Sequence, residues 1–396
     1  KIMLYLLADL RSWFGPLRLF EYVTFRSGCA LLTAMFLVIL FGPWTIRKLK
    51  QFCVPKSARL AGVVDEKFVD HSKDKTPTMG GLLIVAAIAL STIFWGKLSN
   101  SMVLIFLLVL FPLTALGFYD DYIKVKYERS VRDGVSGKVK LLVQALVSLA
   151  ALVCIYKTPD TMTSKMLLPF CREPICLKPA GDMIEFWLPP QILSHPLFSF
   201  AASWGLVVIG LIFLANMIYV MFFSNAVNLT DGKDGLAAGC SVFCVLSLAA
   251  VAYMHGHSVF AKYLSIPYIP ELGEVSVFAS AMAGACIGFL WYNCKPAAMF
   301  MGDTGSLPLG GCIGLIAVLM GQQLLLLVVG FVFLMEGGSV LLQVPYFKLT
   351  GKRIFKCTPI HHHFEQSGWT ETQIVTRFWI IAGICALIGL ATLKLR

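Results

Sequence analysis

Residues 102–121 read MVLIFLLVLFPLTALGFYDD, and this stretch decides what kind of protein the chain is. Eighteen uncharged residues are followed directly by Asp120 and Asp121. A helix that crosses a bilayer core needs about 20 mostly apolar residues. The run is continuous rather than alternating, which favours a transmembrane helix over a barrel strand. Because charged side chains near a membrane are costly, two adjacent carboxylates at the end of such a helix indicate a functional site.

The same kind of apolar run recurs along the whole chain. Of its 396 residues, 58% are hydrophobic and 14% are charged, whereas soluble domains carry about 25% charged residues. The predicted spans are 27–46, 79–96, 102–119, 141–157, 200–223, 235–254, 275–293, 305–320, 323–344 and 374–393. The sequence therefore predicts an all-α polytopic membrane protein with about ten transmembrane helices, folded as a single domain over 1–396.

The positions of lysine and arginine orient these spans, because cytoplasmic loops carry an excess of basic residues. Twenty basic residues lie in the five odd-numbered loops, and only a few lie in the even-numbered ones. The odd-numbered loops are 47–78, 120–140, 224–234, 294–304 and 345–373. This predicts cytoplasmic odd loops, a periplasmic loop at 158–199 and two periplasmic termini. Residues 1–26 have apolar side chains at helical spacing, which predicts an amphipathic helix in the membrane interface.

The net charge of +11 suits anionic headgroups or an anionic substrate, and the chain contains no nucleic-acid-binding motif. Cys171 and Cys176 lie together in the 158–199 loop. In an oxidising periplasm this pair could form a small disulfide. Two free thiols remain the alternative, because a short spacer guarantees no bridging geometry.

The first cytoplasmic loop places lysines beside a Thr-Pro turn, and the second places lysines beside acids. Lys73 and Thr78 precede the second span. They are candidate hydrogen-bond donors to a phosphate. The alternative is that the lysine only reflects the cytoplasmic side of the membrane and the Thr-Pro pair only starts a helix. Asp120 and Asp121 are followed by Lys124 and Lys140. Adjacent acids on a helix point about 100° apart, so one can meet a metal or phosphate while the other holds a lysine. Structural acid–lysine pairing alone is the alternative.

The third and fourth loops add further carboxylates. The third reads NAVNLTDGKDG over 225–235, a composition typical of a tight turn whose backbone N–H groups approach a ligand closely. An EF-hand is excluded because the twelfth-position glutamate is missing. In the fourth loop, Asp303 is either the N-cap of the next helix or the ligand of a hard cation.

The fifth loop contains three consecutive histidines, His361, His362 and His363, followed by Phe364 and Glu365. Consecutive residues of a helix fan through a wide angle, so the three rings do not converge easily on one zinc ion. Hydrogen-bond donors to a diphosphate or a ribose are the favoured interpretation. Zinc binding and an incidental tract are the alternatives.

Taken in order, these motifs resemble those of the polyprenyl-phosphate N-acetylhexosamine-1-phosphate transferases. The residues that carry the resemblance are Thr76–Gly81, Asp120-Asp121, Asn225–Gly235, Met301–Asp303, His361–Glu365, Arg377–Ile381 and Gly389–Lys394. The resemblance covers nearly the whole chain. The histidine tract is similar to that of the branch of the family that uses a muramoyl-pentapeptide donor. Two positions depart from the usual pattern: Lys233 replaces a leucine and Lys75 replaces a glycine.

The resemblance implies a reaction and its participants. Phospho-N-acetylmuramoyl-pentapeptide would pass from UDP-MurNAc-pentapeptide to undecaprenyl phosphate, with release of UMP, in a homodimer of the bacterial inner membrane surrounded by lipid. Mg²⁺ would be the cofactor and Asp303 its ligand, with Asp120, Asp121 and Asp303 as the catalytic residues. The implied substrate-binding residues are Lys73, Thr78, Lys124, Lys140, Asn225, Asn228, Asp231, Asp234, Asn293, Phe300, Gln343, His361, His362 and His363. The alternatives are a relative that transfers N-acetylglucosamine-1-phosphate, and a cation-coupled transporter, whose acids would lie in the middle of its spans.

The ninth span, 323–344, contains Glu336 followed by Gly337 and Gly338. Paired glycines weaken a helix, so the sequence predicts a bend or break there. Glu336 should then face protein or a water-filled cleft instead of lipid, and Gln343 should reach the nucleotide pocket. A splayed helix at this point would open an apolar groove for the polyprenyl chain.

Overall fold

The computed structural model describes residues 4–51, 76–126, 134–158, 165–167, 175–176 and 196–395. Within them the protein is helical, apart from two antiparallel two-residue strands, β1 (Lys165–Met166) and β2 (Ile175–Cys176). Two 3₁₀ helices, Leu4–Ser12 and Gly15–Glu21, precede the first α-helix.

The α-helices are α1 (Val23–Lys50), α2 (Gly81–Trp95), α3 (Ser101–Lys126), α4 (Gly137–Lys157), α5 (Pro196–Thr230), α6 (Leu236–Gly256), α7 (Ser258–Leu264), α8 (Leu272–Asn293), α9 (Asp303–Met320), α10 (Gln323–Val329), α11 (Phe331–Thr350), α12 (Ile360–Glu365) and α13 (Glu371–Thr392).

Among the described residues, eight helices are long and apolar enough to cross a membrane, or nine if α10 and α11 form one broken span. The apolar helix α2 is shorter, with 15 residues. These helices coincide with the ten apolar runs of the sequence, which confirms an all-helical polytopic membrane protein. The count of ten spans and the orientation of the termini stay predictions.

The interior of the bundle is built around α8 and α9. Helix α8 packs against α1, α6 and α2, and α9 packs against α5 and α3. Every residue of α9 from Thr304 to Met320 is buried. This explains why the run 305–320 is short and glycine-rich: a helix enclosed by others needs small residues that let neighbouring backbones approach closely.

A buried ion pair joins α1 to the start of α8, at the end of α8 opposite Asn293. Arg26 contacts the carboxylate of Glu274 through two guanidinium nitrogens, at 2.6 and 2.8 Å. Arg26 also donates to the carbonyl oxygen of Trp95 at 3.1 Å, and Glu274 accepts the N–H of Lys97 at 3.0 Å. The Arg26 side chain is fully buried and that of Glu274 is 6% exposed. The pair therefore fixes α1, α8 and the end of α2 to one another.

Replacing Glu274 by glutamine is expected to lower the free energy of unfolding by about 3–5 kcal/mol, because the guanidinium of Arg26 would stay buried without a counter-charge. Thermal unfolding in detergent, followed by intrinsic fluorescence, measures the loss. Glu271→Gln, which removes an exposed carboxylate three residues earlier, serves as the control. Equal melting temperatures for Glu274→Gln and the wild type would contradict the prediction.

The ninth predicted span is broken, but not where the sequence indicated. Helices α10 and α11 meet at 92°, and the break lies at Gly330. Gly337 and Gly338 continue α11, so the predicted position is wrong. The reason lies in packing: a Cβ at Gly337 would stand 3.0 Å from the Cβ of Ala226 and 3.1 Å from the ring of Phe222. Gly337 thus lets α5 approach α11, and Glu336 is buried in protein, as predicted.

The N-terminal segment also differs from the prediction. A single amphipathic helix was expected over 1–26, whereas two 3₁₀ helices are separated at Trp13-Phe14 and α1 begins at Val23. Gly15 disfavours helix continuation and Pro16 has no N–H to donate, which interrupts the segment. Trp13 and Phe14 are exposed. Of the disulfide candidates in the 158–199 loop, Cys171 and the side chain of Cys176 lie outside the described residues, so their pairing stays a prediction.

Candidate active site

Three carboxylates from distant parts of the sequence meet at one end of the bundle. Asp120 and Asp121 lie in the last two turns of α3, and Asp303 is the first residue of α9. Each offers a carboxylate oxygen, and these oxygens all lie within 4.8 Å of one another. Asp120 is fully buried and Asp121 is 6% exposed. The grouping of acids from separate loops that the sequence predicted is therefore present.

Asp303 is held by side chains instead of capping its own helix. The N-cap of α9 is Gly302, and the helix has no side-chain cap. Asp303 accepts hydrogen bonds from Asn228 Nδ2 at 2.8 Å and from Lys140 Nζ at 2.6 Å. The alternative that Asp303 is simply a cap is therefore wrong. Its negative charge at the N-terminus of α9 is still favoured by the helix dipole.

Two lysines lie among the acids. Lys124 Nζ is 2.5 Å from Asp120 Oδ2 and 3.7 Å from Asp303 Oδ2. Lys140 Nζ bridges the same two oxygens at 2.8 and 2.6 Å. The acid–lysine pairing that the sequence raised as an alternative is thus real, but two ammonium groups do not neutralise three carboxylates. The cluster keeps negative charge and contains two cations that can turn toward phosphate oxygens.

Asp121 has a different task from its neighbour. Its Oδ2 accepts the backbone N–H of Thr304 at 3.0 Å and the hydroxyl of Thr304 at 2.6 Å. Asp120 instead accepts the N–H of Val135 at 2.7 Å and faces the lysines. The two adjacent acids have different partners, as their helical spacing predicted: Asp121 fixes the start of α9, and Asp120 lies on the lysine side.

The third and fourth loops are tied together by predicted site residues. Asp231 accepts the N–H of Gly302 at 3.1 Å, and Asp234 accepts the N–H of Ala297 at 3.2 Å. Asn293 accepts the N–H of Gly235 and donates to Met299 O, both at 2.9 Å. These side chains therefore shape the loops that carry Asp303.

Further predicted residues border the same region. The carbonyl oxygen of Phe300 accepts the N–H of Gly80 at 2.8 Å, which brings the turn containing Thr78 to the fourth loop. Asn225 donates to Gln144 Oε1 at 2.8 Å. Gln144 was missed by the sequence analysis, although a glutamine inside the apolar run 141–157 was the available signal. Lys73 lies outside the described residues.

The three histidines have three separate partners. Nδ1 of His361 lies 3.0 Å from Glu336 Oε2, and Nδ1 of His362 lies 2.9 Å from Glu365 Oε2. Nδ1 of His363 accepts the N–H of Lys356 at 3.2 Å. These partners point in different directions from α12, as expected for consecutive residues of a helix.

The fifth loop is ordered by α11 and joined to the third loop. Gln343 accepts the N–H groups of Ile354 and Phe355 at 3.0 and 2.9 Å, which orders the segment leading to α12. Lys233 Nζ lies 2.5 Å from Glu365 Oε1, which links α12 to the third loop. Contacts among the described residues therefore connect all five predicted cytoplasmic loops.

The carboxylate cluster has the right donors for a small hard cation. Mg²⁺ prefers carboxylate and phosphate oxygens, and it is commonly held by one or two carboxylates plus a substrate phosphate. Asp303, whose side chain is 16% exposed and lies next to Asp120, fits that requirement. The cluster lies at helix ends instead of mid-span, unlike the acids of a cation-coupled transporter.

Comparison with known proteins agrees with the motifs. A family model described as glycosyl transferase family 4 matches residues 103–321, and a phospho-N-acetylmuramoyl-pentapeptide-transferase signature matches residues 73–85. The chain is 42% identical to the phospho-N-acetylmuramoyl-pentapeptide-transferase of Neisseria meningitidis serogroup C / serotype 2a, over 98% of this chain and 99% of the relative. It is also 42% identical to that of Koribacter versatilis, over 100% of this chain and 99% of the relative. The identity to that of Methylacidiphilum infernorum is 41%, over the full length of both chains. The resemblance predicted from the motifs is confirmed, and the chain belongs to glycosyl transferase family 4, among the phospho-N-acetylmuramoyl-pentapeptide-transferases.

Proposed function

We propose that the Asp120, Asp121 and Asp303 cluster is the site where this protein transfers phospho-N-acetylmuramoyl-pentapeptide from UDP to undecaprenyl phosphate. The products are lipid I and UMP, and the reaction serves peptidoglycan synthesis. The observation that carries the assignment is the meeting of three carboxylates and two lysines, in a chain of this family, where all five loops join. The enzyme is a transferase embedded in a membrane.

The chemistry requires two anions to approach each other. An oxygen of the lipid phosphate forms a bond to the sugar-bearing phosphorus of the donor, and the bond from that phosphorus to the UMP oxygen breaks. Lys124 and Lys140 would turn from the acids toward the phosphates and screen their repulsion. Asp120 would position the lipid phosphate or accept its proton.

Asp303 would be the main ligand of Mg²⁺, with Asp120 beside it. The bound cation would neutralise charge that develops on the phosphate oxygens during transfer. Asn228 donates to Asp303 Oδ1 and to Ser306 Oγ, both at 2.8 Å, and so fixes the carboxylate of Asp303. This arrangement lets Asp303 keep its orientation when Lys140 moves to a phosphate.

The donor would lie along the third, fourth and fifth loops. Its binding residues would be Lys73, Thr78, Asn225, Asn228, Asp231, Asp234, Asn293, Phe300, Gln343, His361, His362 and His363. The bonds above support a mixed role for the described members of this set: Asp231, Asp234, Asn293 and Gln343 order the loops, and Asn228 holds Asp303.

The undecaprenyl chain would approach along the broken ninth span. Beyond the 92° bend, the C-terminal half of α11 exposes large apolar side chains around most of its circumference. These residues are Leu341, Leu342, Val344, Tyr346, Phe347 and Leu349. From 341 to 350 the one buried residue is Gln343. A largely exposed apolar helix set at a steep angle to its neighbour would provide an apolar surface for a lipid whose phosphate must reach polar loops.

The finer topology follows from the charge distribution. Ten spans would place the five joined loops in the cytoplasm of a bacterial inner-membrane protein, with both termini and the 158–199 loop in the periplasm. The exposed Trp13 and Phe14 would keep the N-terminal segment in the interface. A homodimer would be the working unit.

Release of UMP tests the proposal directly. Purified protein should release UMP from UDP-MurNAc-pentapeptide only when undecaprenyl phosphate is present, and EDTA should stop the release until Mg²⁺ is restored. UDP-N-acetylglucosamine is the control donor. Turnover of that donor alone would favour the N-acetylglucosamine-1-phosphate branch, and turnover that is insensitive to EDTA would remove the Mg²⁺ assignment.

A further inference from the structure

A chain of three polar side chains crosses from the third loop to α12. Lys233 Nζ lies 2.5 Å from Glu365 Oε1, and the other oxygen of Glu365 lies 2.9 Å from His362 Nδ1. Lys233 is largely buried, with its side chain 11% exposed, whereas Glu365 and His362 are 32% and 38% exposed. Nothing in the proposed function uses Lys233 or Glu365, and Lys233 is the residue at which this chain departs from the leucine of the usual family pattern.

The two elements also touch beside this chain. A Cβ at Gly232 would lie 2.6 Å from His361 Nε2, so the third loop rests against α12 at consecutive positions. The rings of His361 and His362 have centroids 4.2 Å apart. His362 is thereby held between a neighbouring imidazole and the Glu365 carboxylate, with Lys233 on the far side of that carboxylate.

The protonation of this chain follows from its partners. The hydrogen bond from His362, with that from Lys233, lowers the pKa of Glu365 to about 2, so Glu365 is ionised and can only accept. Burial lowers the pKa of His362, with His361 and Lys233 adding to the effect and Glu365 opposing it. A neutral imidazole whose Nδ1 faces an ionised carboxylate has its proton on Nδ1 and a lone pair on Nε2.

We propose that Lys233 and Glu365 are positioning residues that hold His362 as the neutral Nδ1–H tautomer, with Nε2 accepting a hydrogen bond from a hydroxyl or imide N–H of the nucleotide-sugar. The inference rests on the proposed function and specifies the role of His362 in it: the imidazole accepts a hydrogen bond from a neutral group of the substrate, whereas the sequence predicted a hydrogen-bond donor to a diphosphate or a ribose. The phosphate charge is left to Lys124 and Lys140. Lys233 supplies the second partner of Glu365 and so keeps that carboxylate aimed at Nδ1.

Kinetics of UMP release with single variants test the assignment. Glu365→Gln should raise KM for UDP-MurNAc-pentapeptide by about 10- to 100-fold, the range found when the partner that orients a metal-ligating histidine is removed. Its kcat and its KM for undecaprenyl phosphate should change little. Lys233→Met should raise the donor KM less, and Lys233→Arg should restore it. Arg11→Met, which breaks an exposed ion pair with Glu21 in the N-terminal segment, is the matched control.

A double variant that exchanges the charges of Lys233 and Glu365 distinguishes a positioning role from a purely stabilising one. Lys233→Glu combined with Glu365→Lys rebuilds an ion pair but sets an ammonium group against Nδ1 of His362. We expect the melting temperature to recover while the donor KM stays high. Recovery of both quantities would reduce the contact to a structural ion pair and overturn the proposal, as would an unchanged KM in Glu365→Gln.

The design also distinguishes this inference from the proposed function. A wild-type protein that releases no UMP rejects the function, whereas an active wild type with unaffected Lys233 and Glu365 variants rejects only the positioning role. If Glu365→Gln fails to fold, the comparison of Lys233→Met with Lys233→Arg decides the outcome.

Discussion

Asp303→Asn is expected to lower kcat for UMP release by about 100- to 1000-fold, the range found when one preorganised group that stabilises developing charge is removed. Asparagine keeps the shape of the side chain and can still accept the hydrogen bond from Lys140. It removes the negative charge with which Asp303 would hold Mg²⁺. Turnover at saturating concentrations of both substrates and several Mg²⁺ concentrations measures the effect.

The substitution should lower turnover without unfolding the protein. The melting temperature of Asp303→Asn should fall only slightly, because the amide oxygen keeps the bond from Lys140, and Asn228, which loses its bond to Asp303, still donates to Ser306. Asp9→Asn removes an exposed carboxylate from the N-terminal segment and should leave turnover unchanged. A variant that retains wild-type kcat would reject Asp303 as the metal ligand, even if EDTA inhibited the protein.

The sequence allowed the helices of this architecture to be predicted, because bilayer thickness sets the length of apolar runs, whereas the orientation given by lysine and arginine stays a prediction. It also singled out Asp120, Asp121 and Asp303, which the structure brings together, because carboxylates beside apolar spans are costly. Those signals are local. They depend on which residues adjoin a span and require no knowledge of which helices touch.

The features that the sequence could not reveal depend on contacts between distant segments. The break at Gly330 was placed seven residues too late, because Gly337 serves the approach of α5 and not flexibility. The pair of Lys233 and Glu365 joins residues 132 apart in the chain. The roles of Gln144 and Thr304 likewise become visible only when α4 and α9 lie beside their partners.

A second large effect is expected at a residue that carries no charge. Gly302 precedes Asp303 and has φ 71° and ψ 178°, a region of backbone space essentially restricted to glycine. Its N–H donates to Asp231, and a Cβ at this position would lie 2.6 Å from Asp121 Oδ2. Gly302→Ala must therefore move the start of α9, the Asp121 carboxylate, or both.

Because Asp303 is the next residue, such a movement displaces the proposed metal ligand. A shift of about 1 Å in a reacting group costs about 100-fold in rate, so Gly302→Ala should lose about that much kcat or more. The strain should cost about 1–3 kcal/mol of stability, which a chain of this size can sustain without unfolding. Gly338→Ala is the matched control, because a Cβ at Gly338 meets nothing within 4 Å and alanine suits the helix interior. If Gly302→Ala kept wild-type turnover, the geometry that joins Asp121, Asp231 and Asp303 would not be required for catalysis.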